Sequence, residues 1–167
     1  MTARLIAFAA ATLLALPVAA QDAPHHRAGE EAVEPYAMSD ANAGAAPFAG
    51  RQMFEAFHGQ PGVDRIVDGM LDRSIADPRI AAIFELTDMV RLRRTLKEQF
   101  AFILGGPSPY TGRSMRDTHA DLGLQASDMG LLVEHLQAAM SAEGVPFHTQ
   151  NRFLAKLAPM KRDVVTR

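Results

Sequence analysis

The chain has 167 residues, with 17 lysines and arginines against 19 aspartates and glutamates, which gives a formal net charge of −2 at pH 7. This near-neutral balance provides no electrostatic footprint for nucleic acid or for an anionic lipid surface. The absence of cysteine excludes disulfides and lipoprotein acylation, so the fold must be stable from its core alone.

The first twenty residues have the pattern of a secretory signal peptide. Arg4 precedes an apolar run over residues 5–16, and small residues follow up to Ala20. The run is shorter than the about 20 apolar residues that a membrane-spanning helix needs. We therefore expect cleavage after Ala20, no membrane span in the mature chain, and a secreted location in the bacterial periplasm. An uncleaved N-terminal anchor is the alternative.

Residues 21–50 are rich in alanine, proline and acidic residues and show no sustained periodicity. This composition predicts a disordered spacer that contributes nothing to a core. His25 and His26 lie within it, but two adjacent histidines without further ligands are more typical of a tail than of a metal site. The folded domain is expected to span residues 51–167.

From residue 51 onward the pattern is helical, with no alternating, strand-like segment. The first predicted helix spans 61–75 and ends before Pro78, and a short turn follows over 79–84. The second helix is capped by Thr87 or Asp88 and runs to 104, and the third runs from the cap Ser127 to 143. The last helix runs from Pro146 to 164, bends at Pro159 and turns Phe147 inward. These helices form one compact all-α domain. Periodicity does not separate a four-helix bundle from a globin.

Residues 105–119, with the sequence GGPSPYTGRSMRDTH, deliver His119 on a short amphipathic turn after a glycine-proline loop. A neutral imidazole is a good metal ligand when its second ring nitrogen is held by another group. Met115 lies one turn earlier, so the two side chains share a face. A surface or core histidine without a ligand role is the alternative, because one histidine at no fixed spacing is weak evidence.

This loop resembles the proximal-histidine segment of the group I truncated haemoglobins. Further motifs of that family are FEAFHG at 54–59, ADP at 76–78, Asp88-Met89, LGGP at 104–107 and GVP at 144–146. The resemblance covers residues 53–165 and implies a two-over-two helical sandwich around haem, with His119 as the proximal iron ligand. His58 stands at the first of the family's two glycines, so the turn there is expected to differ.

The resemblance also implies which residues contact the haem. Phe84 corresponds to a phenylalanine that wedges against the macrocycle, and Arg91 to a basic position near a propionate; an ordinary core aromatic and a solvated arginine are the alternatives. The expected set is His119, Phe84, Met115, Arg91, Leu71, Leu92, Leu96, Met89 and Tyr110. Because the chain contains no cysteine, we expect the cofactor to be haem b, held without covalent attachment.

The side of the haem opposite His119 departs from the family pattern. Leu71 stands where a tyrosine is usual and Leu96 where a glutamine is frequent, and Leu92 completes an apolar set. A hydrogen-bond donor would contribute about 1.5–3 kcal/mol to O2 binding, so this pocket predicts fast O2 release and little change for CO or NO. Gln99, seven residues after Leu92, is left open as a donor.

We expect a haem-binding globin that reversibly binds O2, NO or CO. The leucines supply no nucleophile or acid–base pair, so catalysis is expected to be absent or limited to NO dioxygenase or weak peroxidase activity. One alternative is a periplasmic haem carrier or electron-transfer protein with an unidentified redox partner. Another is a haem-free globin-like module that binds a protein. Surface or structural roles are expected for Lys97, His135 and His148.

Overall fold

The computed structural model describes residues 27–167, which form a succession of helices. The α-helices are α1 (Gln52–Ala56), α2 (Gly59–Ala76), α3 (Met89–Ile103), α4 (Met115–His119), α5 (Ala126–Ala142), α6 (Phe147–Leu157) and α7 (Lys161–Val164), with 3-10 turns at Asp40–Ala43, Ala81–Phe84 and Ala158–Met160. No strand occurs between residues 27 and 167, and no helix in that range is long and apolar enough to cross a membrane. The predicted signal peptide, His25 and His26 lie outside the described residues.

The core is built around α2, which packs against both α3 and α5. The inward face of α2 carries the predicted apolar stripe, and Val63, Ile66, Val67, Met70 and Leu71 on it are all buried. Three phenylalanines link the end of α1, α3 and α6. The Phe153 ring on α6 meets the rings of Phe57 and Phe100 edge to face, at centroid distances of 5.1 and 5.0 Å. The prediction of an all-α fold is confirmed.

The predicted helix ends agree with the structure where the capping chemistry was recognised. Asp88 caps α3, since its side chain accepts a hydrogen bond from the Arg91 amide at 3.0 Å. The backbone of Asp77 is extended before Pro78 and ends α2. The chain also leaves the α6 helix at Ala158–Met160, which contains Pro159.

Two predictions about helix starts are wrong. Ser127 does not cap α5; the cap is Gln125, two residues earlier, where the Asp128 carboxylate accepts a hydrogen bond from the Gln125 amide at 2.8 Å. Phe147 does not face inward and is 70% exposed. The buried stripe of α6 is centred on Phe153, six residues later, and six residues correspond to a rotation of about 120° from the same face.

Residues 27–50, here called the N-terminal strap, lie against the helices. Ala43 is fully buried. The Phe48 amide donates to the Ile103 carbonyl at 2.8 Å, and the Tyr110 amide donates to the Asp40 carboxylate at 3.1 Å. The prediction of a disordered spacer is therefore wrong for the part of it that the structure describes.

Docking of the strap was not predicted because composition takes account only of apolar side chains. Backbone hydrogen bonds and ion pairs hold this segment against the helices. Glu30 is the main ionic anchor: its carboxylate side chain is 1% exposed and is paired with Arg94 and Arg91. The Arg94 hydrogen bond holds the pKa of Glu30 below its usual value. One local signal was present, since Ser39 caps the turn Asp40–Ala43 and Gly44 ends it in the left-handed conformation.

We expect that a chain starting at Arg51 is less stable than a chain starting at Arg27. Without Ala43, the buried Gln99 amide loses the carbonyl that accepts its hydrogen bond, and an unpaired buried donor costs about 1–3 kcal/mol. Urea unfolding of the two chains measures the difference. Equal midpoints would show that the strap contributes nothing to stability.

The turn between α1 and α2 keeps a glycine-like geometry although His58 occupies it. His58 has φ 62° and ψ 31°. Between residues 27 and 167 it is the only residue other than glycine with a positive φ. Its Nδ1 lies 3.0 Å from the Glu143 carboxylate, which Arg65 also binds at 2.5 Å. These hydrogen bonds, that of Arg65 first, lower the pKa of Glu143 to about 2. Side-chain contacts to α5 thus help to hold the strained backbone.

The same turn places the Phe57 carbonyl against Gly62, where a Cβ atom would lie 1.9 Å from the carbonyl oxygen. We expect Gly62→Ala to destabilise the protein by about 1–3 kcal/mol or more, because backbone must move to admit the methyl group. Gly130→Ala is the control: a Cβ there has no neighbour within 4 Å, and alanine should add up to about 1 kcal/mol of helix stability. Thermal unfolding of both variants tests this; similar shifts would contradict it.

Candidate functional site

His119 is presented at the end of α4 with one ring nitrogen fixed. Ser114 caps this short helix, its hydroxyl accepting from the Asp117 amide at 3.1 Å. His119 Nδ1 lies 2.6 Å from the Met115 carbonyl, and because a carbonyl only accepts, Nδ1 carries the proton. Nε2 has no hydrogen-bond partner within residues 27–167. This tautomer leaves Nε2 with a free lone pair, as a metal ligand requires.

The surroundings of His119 favour its neutral form. Burial lowers the pKa of this imidazole, and the hydrogen bond to the Met115 carbonyl opposes the shift only in part. Desolvation lowers the pKa of any basic group, because it penalises the charged form. Over the pH range near neutrality, the ring therefore stays available as a ligand.

Helices α3 and α4 meet through Gln99. Its Nε2 donates to the Met115 sulfur at 3.2 Å. Leu96 lies about one turn before Gln99 on α3, Leu92 about two turns before it on nearly the same face, and His119 one turn beyond Met115 on α4. The contact thus joins the apolar face of α3 to the helix that carries the histidine.

Several large side chains near these helices pack against the core without being fully buried. Among the predicted residues these are Phe84, Met89, Leu92, Leu96 and Met115. Partly covered apolar side chains of this kind provide a surface that a flat apolar group can cover. Leu71 differs from them, because it is 1% exposed and belongs to the core of α2.

Two predicted residues have other partners than a cofactor. Tyr110 is buried, and its hydroxyl donates to the Arg113 carbonyl at 3.0 Å; burial raises the pKa of this phenol. A Cβ at Gly112 would lie 2.2 Å from that hydroxyl, so Tyr110 organises the loop before α4. The Arg91 guanidinium lies 3.7 Å from Glu30 and 3.4 Å from Asp88, and therefore anchors the strap.

Gln99 and Lys97, two polar side chains of α3 close to Leu92 and Leu96 in sequence, also have protein partners. The Gln99 Nε2 group, its only donor, is shared between the Ala43 carbonyl at 2.9 Å and the Met115 sulfur. Lys97 Nζ forms an ion pair with Asp68 at 2.9 Å. Neither donor is free to reach a ligand beside Leu92.

His135 has the structural role that the sequence indicated. Its Nδ1 lies 3.0 Å from the Ser74 hydroxyl and its Nε2 3.2 Å from the Asp77 carboxylate. These residue types match a hydrolytic triad, but Ser74 is fully buried and its hydroxyl donates to the Met70 carbonyl at 2.9 Å. No substrate can reach that oxygen, so the cluster links α2 to α5. His148 is exposed and contacts the Thr149 hydroxyl at 3.2 Å.

A cavity of about 590 Å³ lies on another face of α3. Its walls include Arg93, Arg94, Lys97 and Glu98 of that helix and Gln60 of α2. None of the nine predicted haem-contacting residues lines it. The side chains that α3 contributes to its walls are charged and form ion pairs, whereas apolar side chains are expected around a haem.

The residues around His119 fit haem. A partly buried imidazole with one ring nitrogen that has no partner among the described residues is the kind of group that would hold a haem iron. The half-buried apolar side chains of α3 and of the turn Ala81–Phe84 match the packing surface that the macrocycle needs.

Comparison with known proteins supports this assignment. A sequence model of the bacterial-like globins matches residues 52–166. A group 1 truncated hemoglobin of Mycolicibacterium paratuberculosis is 33% identical over 114 residues, which cover 68% of this chain and 84% of that protein. The truncated hemoglobin structure of Tetrahymena pyriformis in the Fe(III) form matches with a TM-score of 0.66 at 23% identity, covering 69% of this chain and 98% of that one.

A third similar protein is the 2/2 hemoglobin of a Synechococcus species, whose structure in the cyanomet state has covalently attached heme. It matches with a TM-score of 0.64 at 26% identity, over 69% of this chain and 98% of that chain. These matches confirm the predicted two-over-two globin fold.

Proposed function

Because this chain belongs to the bacterial-like globins, and is therefore a haem-binding globin, we propose that it reversibly binds diatomic gases at haem iron held by His119. The observation that carries the proposal is the His119 imidazole, which is partly buried, has its proton fixed on Nδ1 by the Met115 carbonyl, and leaves Nε2 without a partner among the described residues. When bound, haem supplies an iron atom that coordinates O2, NO or CO.

The protein's contribution is to hold and enclose this group. Phe84 and Met89 would pack against the macrocycle, and His119 would hold the iron. Leu92 and Leu96, together with Leu71 in the adjoining core, would exclude water from the gas ligand and offer it no proton and no hydrogen bond. This pocket suits binding and release of a ligand more than its chemical conversion.

Absorption spectra of the purified protein, oxidised, reduced and with CO, test this function. We expect a Soret band that shifts when CO binds to a five-coordinate ferrous form. No Soret band after expression with haem supplied would favour the haem-free module instead. A six-coordinate ferrous spectrum would favour the carrier or electron-transfer alternative.

We further propose that the cofactor is haem b without a covalent link, since the chain contains no cysteine. Extraction with acidified acetone measures this directly. Release of all haem into the acetone phase is expected, and haem that stays with the protein would contradict the proposal.

Export through residues 1–20 is also part of the proposed function, on the basis of the apolar run over 5–16 and the small residues before Gln21. Expression of the full chain followed by cell fractionation tests it. We expect periplasmic protein whose intact mass corresponds to a chain that starts at Gln21. A chain that keeps residues 1–20 in the membrane fraction would indicate an uncleaved anchor.

A further inference from the structure

Gln99 is a buried polar residue that the proposed function does not use. It is 4% exposed, and it lies on the α3 face that also carries Leu92 and Leu96. A glutamine that loses its hydrogen bonds inside a core is costly, so its partners indicate what it does there.

The side-chain amide of Gln99 joins two separate parts of the chain to α3. Its Nε2 has two hydrogens, and its two close acceptors are the Ala43 carbonyl of the strap at 2.9 Å and the Met115 sulfur of α4 at 3.2 Å. If the side-chain amide were rotated by 180°, its oxygen would lie next to the Ala43 carbonyl oxygen, and two acceptors cannot form a hydrogen bond. The Ala43 acceptor therefore fixes which end of the amide faces Met115.

Met115 connects this amide to His119. Its sulfur accepts from Gln99, while its backbone carbonyl accepts from His119 Nδ1 at 2.6 Å. Met115 is therefore the one residue, in a helix of five, that contacts both the Gln99 amide and the His119 imidazole.

The strap closes this arrangement from the other side. A Cβ atom at Gly44 would lie 2.9 Å from Met115 Cγ and 3.1 Å from Met160 Cε. Gly44 also has φ 80°, a conformation that other residues rarely adopt. The Met115 and Met160 side chains thus both lie close to the backbone of Gly44, and the Met160 sulfur is a third, more distant acceptor for Gln99 Nε2 at 3.9 Å. The strap and α4 are therefore in close contact at this point.

We propose that Gln99 is a positioning residue for the iron ligand: by binding Ala43 and Met115 together, it sets the place and orientation of the His119 imidazole and makes them depend on the docked strap. This inference rests on the proposed role of His119. It goes beyond that role because it assigns the Gln99 amide to the proximal side, through α4, and not to the gas ligand.

Two substitutions of similar volume remove the contact from either end. Gln99→Leu removes the donor, and Met115→Leu removes the sulfur but keeps the backbone carbonyl that His119 uses. In each ferrous, haem-loaded variant we expect the iron–histidine stretching band in resonance Raman spectra to shift and broaden. We also expect haem transfer to apomyoglobin to be about tenfold faster, the lower end of the range for losing a partner of a metal-ligating histidine. The double variant should be no worse than the more affected single one, because both remove one interaction.

Gln150→Leu is the matched control. Gln150 is also a buried glutamine, 3% exposed, and its Nε2 donates to the Val145 carbonyl at 2.8 Å. It lies on α6, and its hydrogen bonds among the described residues, to the Ser141 hydroxyl and the Val145 carbonyl, involve neither the strap nor α4. We expect this variant to lose stability while its iron–histidine band stays unchanged. An unchanged band in Gln99→Leu, or the same shift in Gln150→Leu, would overturn the proposal.

Hydrogen exchange of the haem-free protein separates this inference from the proposed function. In Gln99→Leu, and not in Gln150→Leu, amides of residues 40–44 and 115–119 should both exchange faster than in the wild type. If the wild type binds no haem, the proposed function fails and the positioning role fails with it, while exchange still decides whether Gln99 joins the strap to α4. If the wild type binds haem but neither segment responds, the positioning role alone is overturned.

Discussion

Replacing His119 with alanine is expected to abolish stable haem retention. The substitution removes the imidazole whose Nε2 has no partner within residues 27–167 and whose Nδ1 is held by the Met115 carbonyl. Loss of only a partner of a metal-ligating histidine costs about 10–100-fold in affinity, so loss of the ligand itself should accelerate haem transfer to apomyoglobin by more than that. Stopped-flow measurement of the Soret change on mixing with apomyoglobin gives the rate.

A matched control and a rescue separate loss of the ligand from loss of the fold. His148→Ala removes an exposed histidine on α6 and should leave haem transfer unchanged. Free imidazole added to His119→Ala should restore part of the Soret band, because the deleted ring leaves a space of its own size. An unchanged haem transfer rate in His119→Ala would show that another group holds the iron.

The sequence was sufficient to predict the helical fold, because local signals and burial agree there. The α2 stripe from Val63 to Leu71 repeats at helical spacing and is buried as predicted. Asp88 and Pro159 act at the places where capping and proline chemistry require a helix start and a break. The resemblance added the identity of the fold, which periodicity alone does not contain.

The strap and the role of Gln99 were not predictable in the same way. Both depend on pairs far apart in the chain, such as Glu30 with Arg94 and Ala43 with Gln99. Neither partner carries a local pattern that indicates the other, and most of the apolar residues in 27–50 are alanines. Polar docking of this kind is visible only when the two partners are brought together in space.

Tyr110 illustrates the same limit within the loop before α4. The resemblance implies that Tyr110 contacts the cofactor, and in the structure its hydroxyl donates to the Arg113 carbonyl three residues later. The sequence places the residue correctly in the loop. Only the backbone path, which brings Gly112 against the phenol ring, shows that the side chain supports the loop itself.

The apolar distal pocket gives the second prediction with a large expected effect, and the structure indicates where to test it. Leu71→Tyr restores the hydroxyl that the family usually has, but Leu71 is 1% exposed, and a larger side chain in a packed core costs about 1–3 kcal/mol. Leu92 is only partly buried, so Leu92→Gln can introduce a donor with less disturbance. Leu92→Met is the control, since it changes the shape without adding a donor.

We expect the wild type to release O2 quickly and to bind CO tightly, because Leu71, Leu92 and Leu96 offer no hydrogen bond and the Gln99 donor is bound to Ala43 and Met115. One hydrogen bond to a charged acceptor is worth about 1.5–3 kcal/mol, so Leu92→Gln should slow O2 release roughly tenfold to a hundredfold. CO release should change far less, and Leu92→Met should change neither. Leu71→Tyr should act in the same direction when its Soret spectrum shows an intact haem site. Stopped-flow O2 dissociation decides the matter: slow release by the wild type would mean that some donor already reaches the ligand, and the account of an apolar pocket would then be wrong.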